Sequence, residues 1–136
     1  MTKILLVEDS KFMRLTTERA LARAGYEVSS ASDGDEALRM AQAKLPDLIL
    51  LDMLLPKMSG LDVLKALKKD PVTKGIPVVV ITSMAQKNAA RLAADGAAGF
   101  LEKGALDLEK GTEKLLASVR EILDKGLGQQ ARKTTA

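Results

Sequence analysis

The sequence contains no cysteine and no histidine among its 136 residues. The absence of cysteine excludes disulfide bonds and thiolate chemistry. The absence of histidine excludes imidazole acid–base catalysis and the ligand sets of most zinc sites. Aromatic residues make up only 2% of the chain, so we expect a core of leucine, valine, isoleucine, alanine and methionine. A chain without disulfides favours a cytoplasmic location.

Long apolar stretches are also absent. No run approaches the roughly 20 residues that a membrane-spanning helix needs. The chain begins with a short apolar run, Ile4–Val7, which two acidic residues follow at once. A secretory signal has a longer apolar stretch and a cleavage site of small residues. We therefore expect neither a membrane span nor a signal peptide.

The excess of positive charge is confined to one end of the chain. Residues 125–136 contain Lys125, Arg132 and Lys133 and no acid, so the formal net charge of +3 lies entirely there. Residues 1–124 are therefore balanced, which does not predict a nucleic-acid-binding face. We expect one domain over residues 1–124 and a disordered basic tail over 125–136. A docking arm is the alternative interpretation of the tail.

Short apolar runs alternate with amphipathic segments along residues 1–124. The strands are predicted at Lys3–Val7, Tyr26–Ala31, Asp47–Leu51, Pro77–Ile81 and Ala98–Leu101. The helices are predicted at Ser10–Ala24, Glu36–Lys44, Gly60–Lys69, Ala85–Ala94 and Leu108–Leu123. This alternation predicts an α/β fold in which helices cover both faces of a parallel sheet.

Residues suited to phosphate and metal chemistry stand at the ends of four of the five predicted strands, whereas the second strand ends in Ser30-Ala31-Ser32. The residues at those four strand ends are Glu8 and Asp9 after the first strand, Asp52 after the third, Thr82 after the fourth and Lys103 after the fifth. Ligands of open parallel sheets bind beyond the carboxyl ends of the strands. We therefore expect these five side chains to meet at one edge of the sheet.

Three neighbouring carboxylates repel one another, and a single lysine cannot neutralise them. A hard divalent cation can, and Mg²⁺ suits a site that keeps water molecules and a phosphate oxygen. A carboxylate can also attack phosphorus and form an aspartyl phosphate. A metal ion, Lys103 and the Thr82 hydroxyl would then stabilise the transferring group. The pattern predicts phosphoryl chemistry that depends on Mg²⁺.

Four motifs, each at a strand end, resemble those of bacterial response-regulator receiver domains, the partners of histidine kinases. The motifs are Ile4-Leu5-Leu6-Val7-Glu8-Asp9-Ser10, the Asp52-x-x-x-Pro56-x-x-x-Gly60 segment that begins at Asp47, Val78-Val79-Val80-Ile81-Thr82-Ser83 and Phe100-Leu101-Glu102-Lys103. The resemblance covers roughly residues 1–124 and is to single-domain, chemotaxis-regulator-like receivers. It implies a doubly wound, flavodoxin-like (βα)5 fold whose five parallel strands have the order 2-1-3-4-5.

The resemblance implies a role for each acidic residue of the site. Asp52 matches the phosphoacceptor. Asp9, Asp52 and the backbone carbonyl of Leu54 match the direct Mg²⁺ ligands, and Glu8 matches a ligand that acts through water. The implied function is transfer of a phosphoryl group from a histidine kinase or phosphotransfer protein to Asp52, in phosphorelay signal transduction.

The resemblance also implies a conformational switch. Lys103 matches the lysine that pairs with the phosphoryl group, Thr82 the switch hydroxyl and Phe100 the aromatic switch position. Phosphorylation then shifts the population between two conformations. The change would reach a downstream protein at the α4–β5–α5 face, which residues 85–94, 98–101 and 108–123 form. Neither nucleic acid nor a membrane is an expected partner.

Gly104 departs from the family, which usually has proline after the lysine. A cis peptide without proline costs about 3 kcal/mol, so we expect a trans bond and a looser loop after Lys103. Gly104 is the one feature that favours an alternative, a receiver-fold binding module that no longer signals by phosphorylation. A phosphatase would need a second aspartate where Leu54 stands, so we do not expect an enzyme.

Two of the candidate residues also have simpler interpretations. Thr82 is a suitable N-cap for the predicted Ala85–Ala94 helix, and a capping role is compatible with phosphate binding. Phe100 is equally well explained as a core residue, because a short inner strand needs large apolar side chains.

Overall fold

A computed structural model describes residues 2–53, 55, 58–82, 96–102, 113 and 115–124. Its strands are β1 (Lys3–Val7), β2 (Glu27–Ala31), β3 (Leu48–Asp52), β4 (Val78–Thr82) and β5 (Gly99–Glu102). Its helices are α1 (Lys11–Arg23), α2 (Gly34–Lys44), α3 (Gly60–Lys69) and a last helical segment over 115–124. The predicted helix Ala85–Ala94 and the predicted tail lie outside the described residues.

The five strands form one parallel sheet in the order β2-β1-β3-β4-β5. The α/β fold and the strand order expected from the sequence are thereby confirmed. β3 lies between β1 and β4, and all five of its residues are buried. In the register of the sheet, Val7 is opposite Leu51, and Asp52 is opposite Ile81. The carboxyl ends of β1, β3 and β4 therefore lie side by side; we call them the carboxyl edge.

Two apolar clusters cover the two faces of the sheet, because successive strand residues point to opposite sides. Leu5, Val7, Ile49 and Leu51 pack on one face with α2 and α3. Ile4, Leu6, Leu48 and Leu50 pack on the other face with α1 and the segment 115–124. Among the described residues, the buried apolar side chains are leucine, isoleucine, valine and alanine, as expected. Methionine was also expected in the core, but Met40, Met53 and Met58 pack against it only partly buried. No helix of the described part is both long and apolar enough to cross a bilayer.

The start of α2 differs from the prediction, which began the helix at Glu36. The helix begins at Gly34, because the Asp33 side chain accepts the Glu36 backbone N–H at 2.9 Å and caps it. A Cβ atom at Gly34 would lie 2.8 Å from Val63 Cγ2. Glycine at this position therefore lets α2 pack closely against α3.

The strands β3, β4 and β5 begin one residue later than predicted, at Leu48, Val78 and Gly99. β3 ends at Asp52 and β4 ends at Thr82, as the sequence predicted. Pro77 has no N–H to donate to the ladder, although its carbonyl accepts the Ile49 N–H at 3.0 Å. Asp52 therefore belongs to the sheet, where it pairs with Ile81, and its side chain is buried.

Candidate metal centre

The carboxyl edge brings Glu8, Asp9 and Asp52 together, as the sequence predicted. One carboxylate oxygen from each residue lies within 4.8 Å of those from the other two. Asp52 is 0% exposed and Glu8 is 3% exposed, whereas Asp9 is exposed. The cluster is therefore an acidic pocket with two buried members and one member at the solvent side.

The turn between β1 and α1 holds Glu8 through both its backbone and its side chain. The Glu8 N–H donates to the Ala31 carbonyl of β2 at 3.0 Å. The Arg14 Nη1 atom donates to the Glu8 carbonyl at 3.1 Å. The Ser10 N–H donates to Glu8 Oε1 at 3.2 Å. These bonds fix the orientation of the N–H, the carbonyl and the carboxylate of Glu8.

Ser10 also starts the helix that follows the acidic pair. Its side chain accepts the Met13 backbone N–H at 3.4 Å and forms the N-cap of α1. Its carbonyl accepts the Arg14 N–H at 2.8 Å. A serine cap of this kind satisfies a donor that the first turn of a helix leaves without an intrahelical partner. The local sequence therefore fixes the direction in which the chain leaves Asp9.

A close backbone contact holds Asp52 at the end of β3. The Met53 N–H donates to the Ile81 carbonyl of β4, and the Gly60 N–H donates to the Met53 carbonyl, both at 3.0 Å. A Cβ atom at Gly60 would lie 2.5 Å from the Asp52 carbonyl oxygen and 2.5 Å from Met53 Cα. Any side chain at position 60 would displace the backbone that carries Asp52. This contact is the physical reason for the glycine of the Asp52–Gly60 motif.

The charge and the donor set of the pocket fit a hard divalent cation. Two carboxylates about 5 Å apart repel each other by roughly 3 kcal/mol at an effective dielectric constant of about 20. All the donors of the cluster are carboxylate oxygens, which Mg²⁺ and Ca²⁺ prefer. The exposed side of Asp9 leaves room for the water molecules that Mg²⁺ keeps.

The structure places only part of the remaining predicted site. Thr82 ends β4 beside the end of β3, and Phe100 lies on β5 opposite Val80; the structure describes the backbone of both. Leu54 and Lys103, with the peptide bond to Gly104, lie outside the described residues. The described part thus supplies the acidic half of the predicted site.

Arg14 belongs to this site although the sequence analysis did not single it out. The available signal was its position on the first turn of the helix that follows Glu8 and Asp9. An arginine there is long enough to reach back to the preceding loop, because helical side chains lean toward the N-terminus. The sequence alone does not show which acceptor such a side chain chooses.

Comparisons with known proteins agree with this fold. The family described as "Response regulator receiver domain" matches residues 4–116. The response regulator PleD of Caulobacter vibrioides is 48% identical over 82 residues, which are 60% of this chain and 18% of PleD. The polar-differentiation response regulator DivK of Brucella ovis is 37% identical over 105 residues, which are 76% of this chain and 85% of DivK.

Among solved structures, the chemotaxis response regulator CheY4 of Vibrio cholerae superposes with a TM-score of 0.80 at 33% identity. The match covers 90% of this chain and 98% of CheY4. The chain spans less than a fifth of the length of PleD, whereas it covers most of DivK. The family match over residues 4–116 includes both strands that carry the acidic cluster, and the chain therefore belongs to the response regulator receiver domains, the receivers of phosphorelay signalling.

Proposed function

We propose that Asp52 accepts a phosphoryl group in a reaction that depends on Mg²⁺. The observation that carries this proposal is the buried Asp52 carboxylate at the end of β3, with oxygens of Glu8 and Asp9 within 4.8 Å. A buried carboxylate among like charges is unfavourable for folding. Its presence in an otherwise apolar strand is explained by chemistry that needs it there.

Mg²⁺ would be held by Asp9, Asp52 and the Leu54 carbonyl, and by Glu8 through water. When bound, the ion supplies positive charge that offsets the acidic cluster and the oxygens of the incoming phosphoryl group. The protein contributes the fixed directions of its ligands: hydrogen bonds to Ser10, Arg14 and Ala31 hold Glu8. The contact at Gly60 keeps the end of β3 in place.

In the proposed transfer, an Asp52 carboxylate oxygen attacks the phosphorus atom of the donor. The new P–O bond forms as the P–N bond of a phosphohistidine breaks, and the electron pair stays on the imidazole nitrogen, which takes up a proton. The Thr82 hydroxyl and the Lys103 ammonium are the proposed partners of the phosphoryl oxygens. The position of the Thr82 backbone beside the end of β3 supports this assignment.

The consequence that we propose is a switch of protein-binding surface, with Thr82 and Phe100 as the residues that move. The phosphodonor would be a histidine kinase or a phosphotransfer protein, and the target a downstream protein at the α4–β5–α5 face. In this role the domain is a phosphoacceptor in the cytoplasm and not an enzyme with an external substrate. The division into a receiver over residues 1–124 and a basic tail over 125–136 is part of the same proposal.

The test is incubation with acetyl phosphate, with intact-mass spectrometry as the measurement. The wild type is expected to gain one phosphoryl group in Mg²⁺ and none in EDTA, because the acidic cluster repels the donor without the metal. Asp52→Asn is expected to gain none. Asp47→Asn, at the other end of β3, is the matched control and is expected to behave as the wild type.

Two results would contradict the proposal. Labelling of Asp52→Asn at the wild-type rate would place the acceptor elsewhere. A wild type that neither binds Mg²⁺ nor takes up the label would instead support a receiver-fold binding module that has lost phosphorylation, the alternative that Gly104 favours.

A further inference from the structure

We infer that Arg14 is a positioning residue for the metal centre and that it acts through the backbone of Glu8. The inference rests on the proposed function, because it concerns how the chain prepares the site for Mg²⁺. It starts from a feature that neither the acidic cluster nor the sheet explains. A half-buried arginine turns back from α1 to the loop that carries the two acids.

Three hydrogen bonds close a ring between the loop and the first turn of α1. Arg14 Nη1 donates to the Glu8 carbonyl at 3.1 Å. The Arg14 backbone N–H donates to the Ser10 carbonyl at 2.8 Å. The Ser10 N–H donates to Glu8 Oε1 at 3.2 Å. One side chain thus links the carbonyl of Glu8 to the helix that already holds the carboxylate of Glu8 through Ser10.

The bond to the Glu8 carbonyl also orients Asp9. The Glu8 carbonyl and the Asp9 N–H belong to one planar peptide group, so the arginine fixes the plane from which the Asp9 side chain projects. On its other side, Glu8 is fixed by the 3.0 Å bond from its N–H to the Ala31 carbonyl. Arg14 therefore holds the one backbone carbonyl that joins the two acids of the loop.

Electrostatics alone predicts the opposite effect from positioning. A guanidinium close to the acidic cluster repels Mg²⁺, so its removal would tighten metal binding if charge were its only contribution. If Arg14 positions Glu8 and Asp9, its removal loosens the ligands and weakens metal binding. The sign of the change in Mg²⁺ affinity therefore separates the two interpretations.

The experiment is a titration of the metal-free protein with MgCl2, followed by the backbone amide NMR signals of Glu8, Asp9 and Asp52. Arg14→Met is expected to raise the Kd for Mg²⁺ about tenfold, the usual loss when a partner that orients metal ligands is removed. Arg14→Lys keeps a charged donor and is expected to recover part of the affinity.

Arg19→Met is the matched control, since it removes the same charge from an exposed position on α1. Position 19 lies about 7.5 Å further along the helix axis, where an exposed charge is strongly screened. Its Kd is expected to stay within about twofold of the wild type on that ground. The amide signals of β3 and β4 before metal is added report whether each variant is folded, and Arg14→Gln, a good helix former, replaces Arg14→Met if the latter is not.

Unchanged or tighter Mg²⁺ binding in Arg14→Met would overturn the inference, as would an equal loss in Arg19→Met or no recovery in Arg14→Lys. The failure of the proposed function has a different signature. In that case the wild type itself shows no Mg²⁺-dependent shift at Asp9 and Asp52, before any variant is compared.

Discussion

Two aspartates stand at the two ends of β3, and the fold treats them in opposite ways. Asp47, just before the strand, is exposed and accepts the Lys3 backbone N–H at 2.8 Å, while its own N–H donates to the Lys3 carbonyl at 2.8 Å. Asp52, the last residue of the strand, is buried among the oxygens of Glu8 and Asp9. The charge of Asp47 supports strand pairing, whereas the charge of Asp52 lies beside two further carboxylates, which repel it.

The same contrast extends to Lys68 at the end of α3, where the chain turns back toward the start of β4. Its ammonium donates to the carbonyls of Lys74 and Ile76 at 3.2 and 2.7 Å. Partial burial lowers the pKa of Lys68, and the two carbonyls keep its charge hydrogen-bonded. We define the amino edge as the starts of the strands and the turns that lead into them. At this edge, charged side chains stabilise the turns through hydrogen bonds. At the carboxyl edge, the three carboxylates of Glu8, Asp9 and Asp52 lie together and could hold a metal ion.

The largest expected effect tests how tightly the carboxyl edge is built. Gly60→Ala is expected to lower the free energy of unfolding by about 3 kcal/mol, because its Cβ atom would lie 2.5 Å from the backbone of Asp52 and Met53 and the strand end must shift. Gly75→Ala, in the turn before β4, is the matched control, since nothing lies within 4 Å of its Cβ position. Its expected change is below about 1 kcal/mol.

Urea denaturation, with the midpoint and the slope fitted separately, measures both variants. Similar losses at positions 60 and 75 would show that the two edges are equally tolerant, and the contrast between them would not hold.

The next prediction exchanges charge for an amide at both ends of β3. In EDTA at pH 7, Asp52→Asn is expected to raise the free energy of unfolding by about 1–2 kcal/mol, because it removes repulsion from Glu8 and Asp9. Asp47→Asn is expected to lower it by about 0.5 kcal/mol, because a carboxylate is the stronger acceptor for the Lys3 N–H. Thermal unfolding of the two variants beside the wild type gives the two signs directly.

Added Mg²⁺ is expected to change the stability difference of Asp52→Asn but not that of Asp47→Asn. A ligand that binds only the folded state stabilises it by an amount that grows with its concentration over Kd. Saturating Mg²⁺ is therefore expected to remove the advantage of Asp52→Asn and to leave the deficit of Asp47→Asn unchanged. If both substitutions destabilise the metal-free protein, Asp52 does not carry the strain that the comparison assigns to it.

Much of the fold was predictable because its signals are local. β1 and α3 have the predicted bounds, since an apolar run and an amphipathic stripe define them without competition. The start of α2 was missed because aspartate is common both in turns and at helix N-caps. Here the Asp33 side chain acts as a cap. The later start of β4 follows from Pro77, whose carbonyl joins the ladder although it has no N–H to donate.

The site was predictable to the extent that strand ends determine it. Glu8, Asp9 and Asp52 converge because parallel strands bring their carboxyl ends together. The hydrogen bond from Arg14 to the Glu8 carbonyl depends on a side-chain conformation that no residue pattern specifies. The close approach at Gly60 was present in the sequence as a motif, but its cause appears only when a Cβ atom is placed there.

The smallest expected effect concerns Asp70 at the amino edge. The Val72 backbone N–H and the Gln42 side-chain amide donate to its carboxylate at 2.9 and 2.6 Å, and they lower the pKa of Asp70. The pKa in the folded state is then below that in the unfolded state, so the stabilisation is present above the unfolded-state pKa and is lost as the pH falls through the folded-state pKa.

Asp70→Asn is therefore expected to be slightly less stable than the wild type at pH 7 and to approach it at a pH below the folded-state pKa of Asp70, where the carboxyl group of the wild type takes up its proton. Urea denaturation at both pH values measures the difference, and Gln42→Leu, which removes one donor, is expected to make it smaller. A difference that is independent of pH would show that shape and not charge matters at Asp70. The expected sign is opposite to that at Asp52: loss of charge weakens the amino edge, whereas it strengthens the metal-free carboxyl edge.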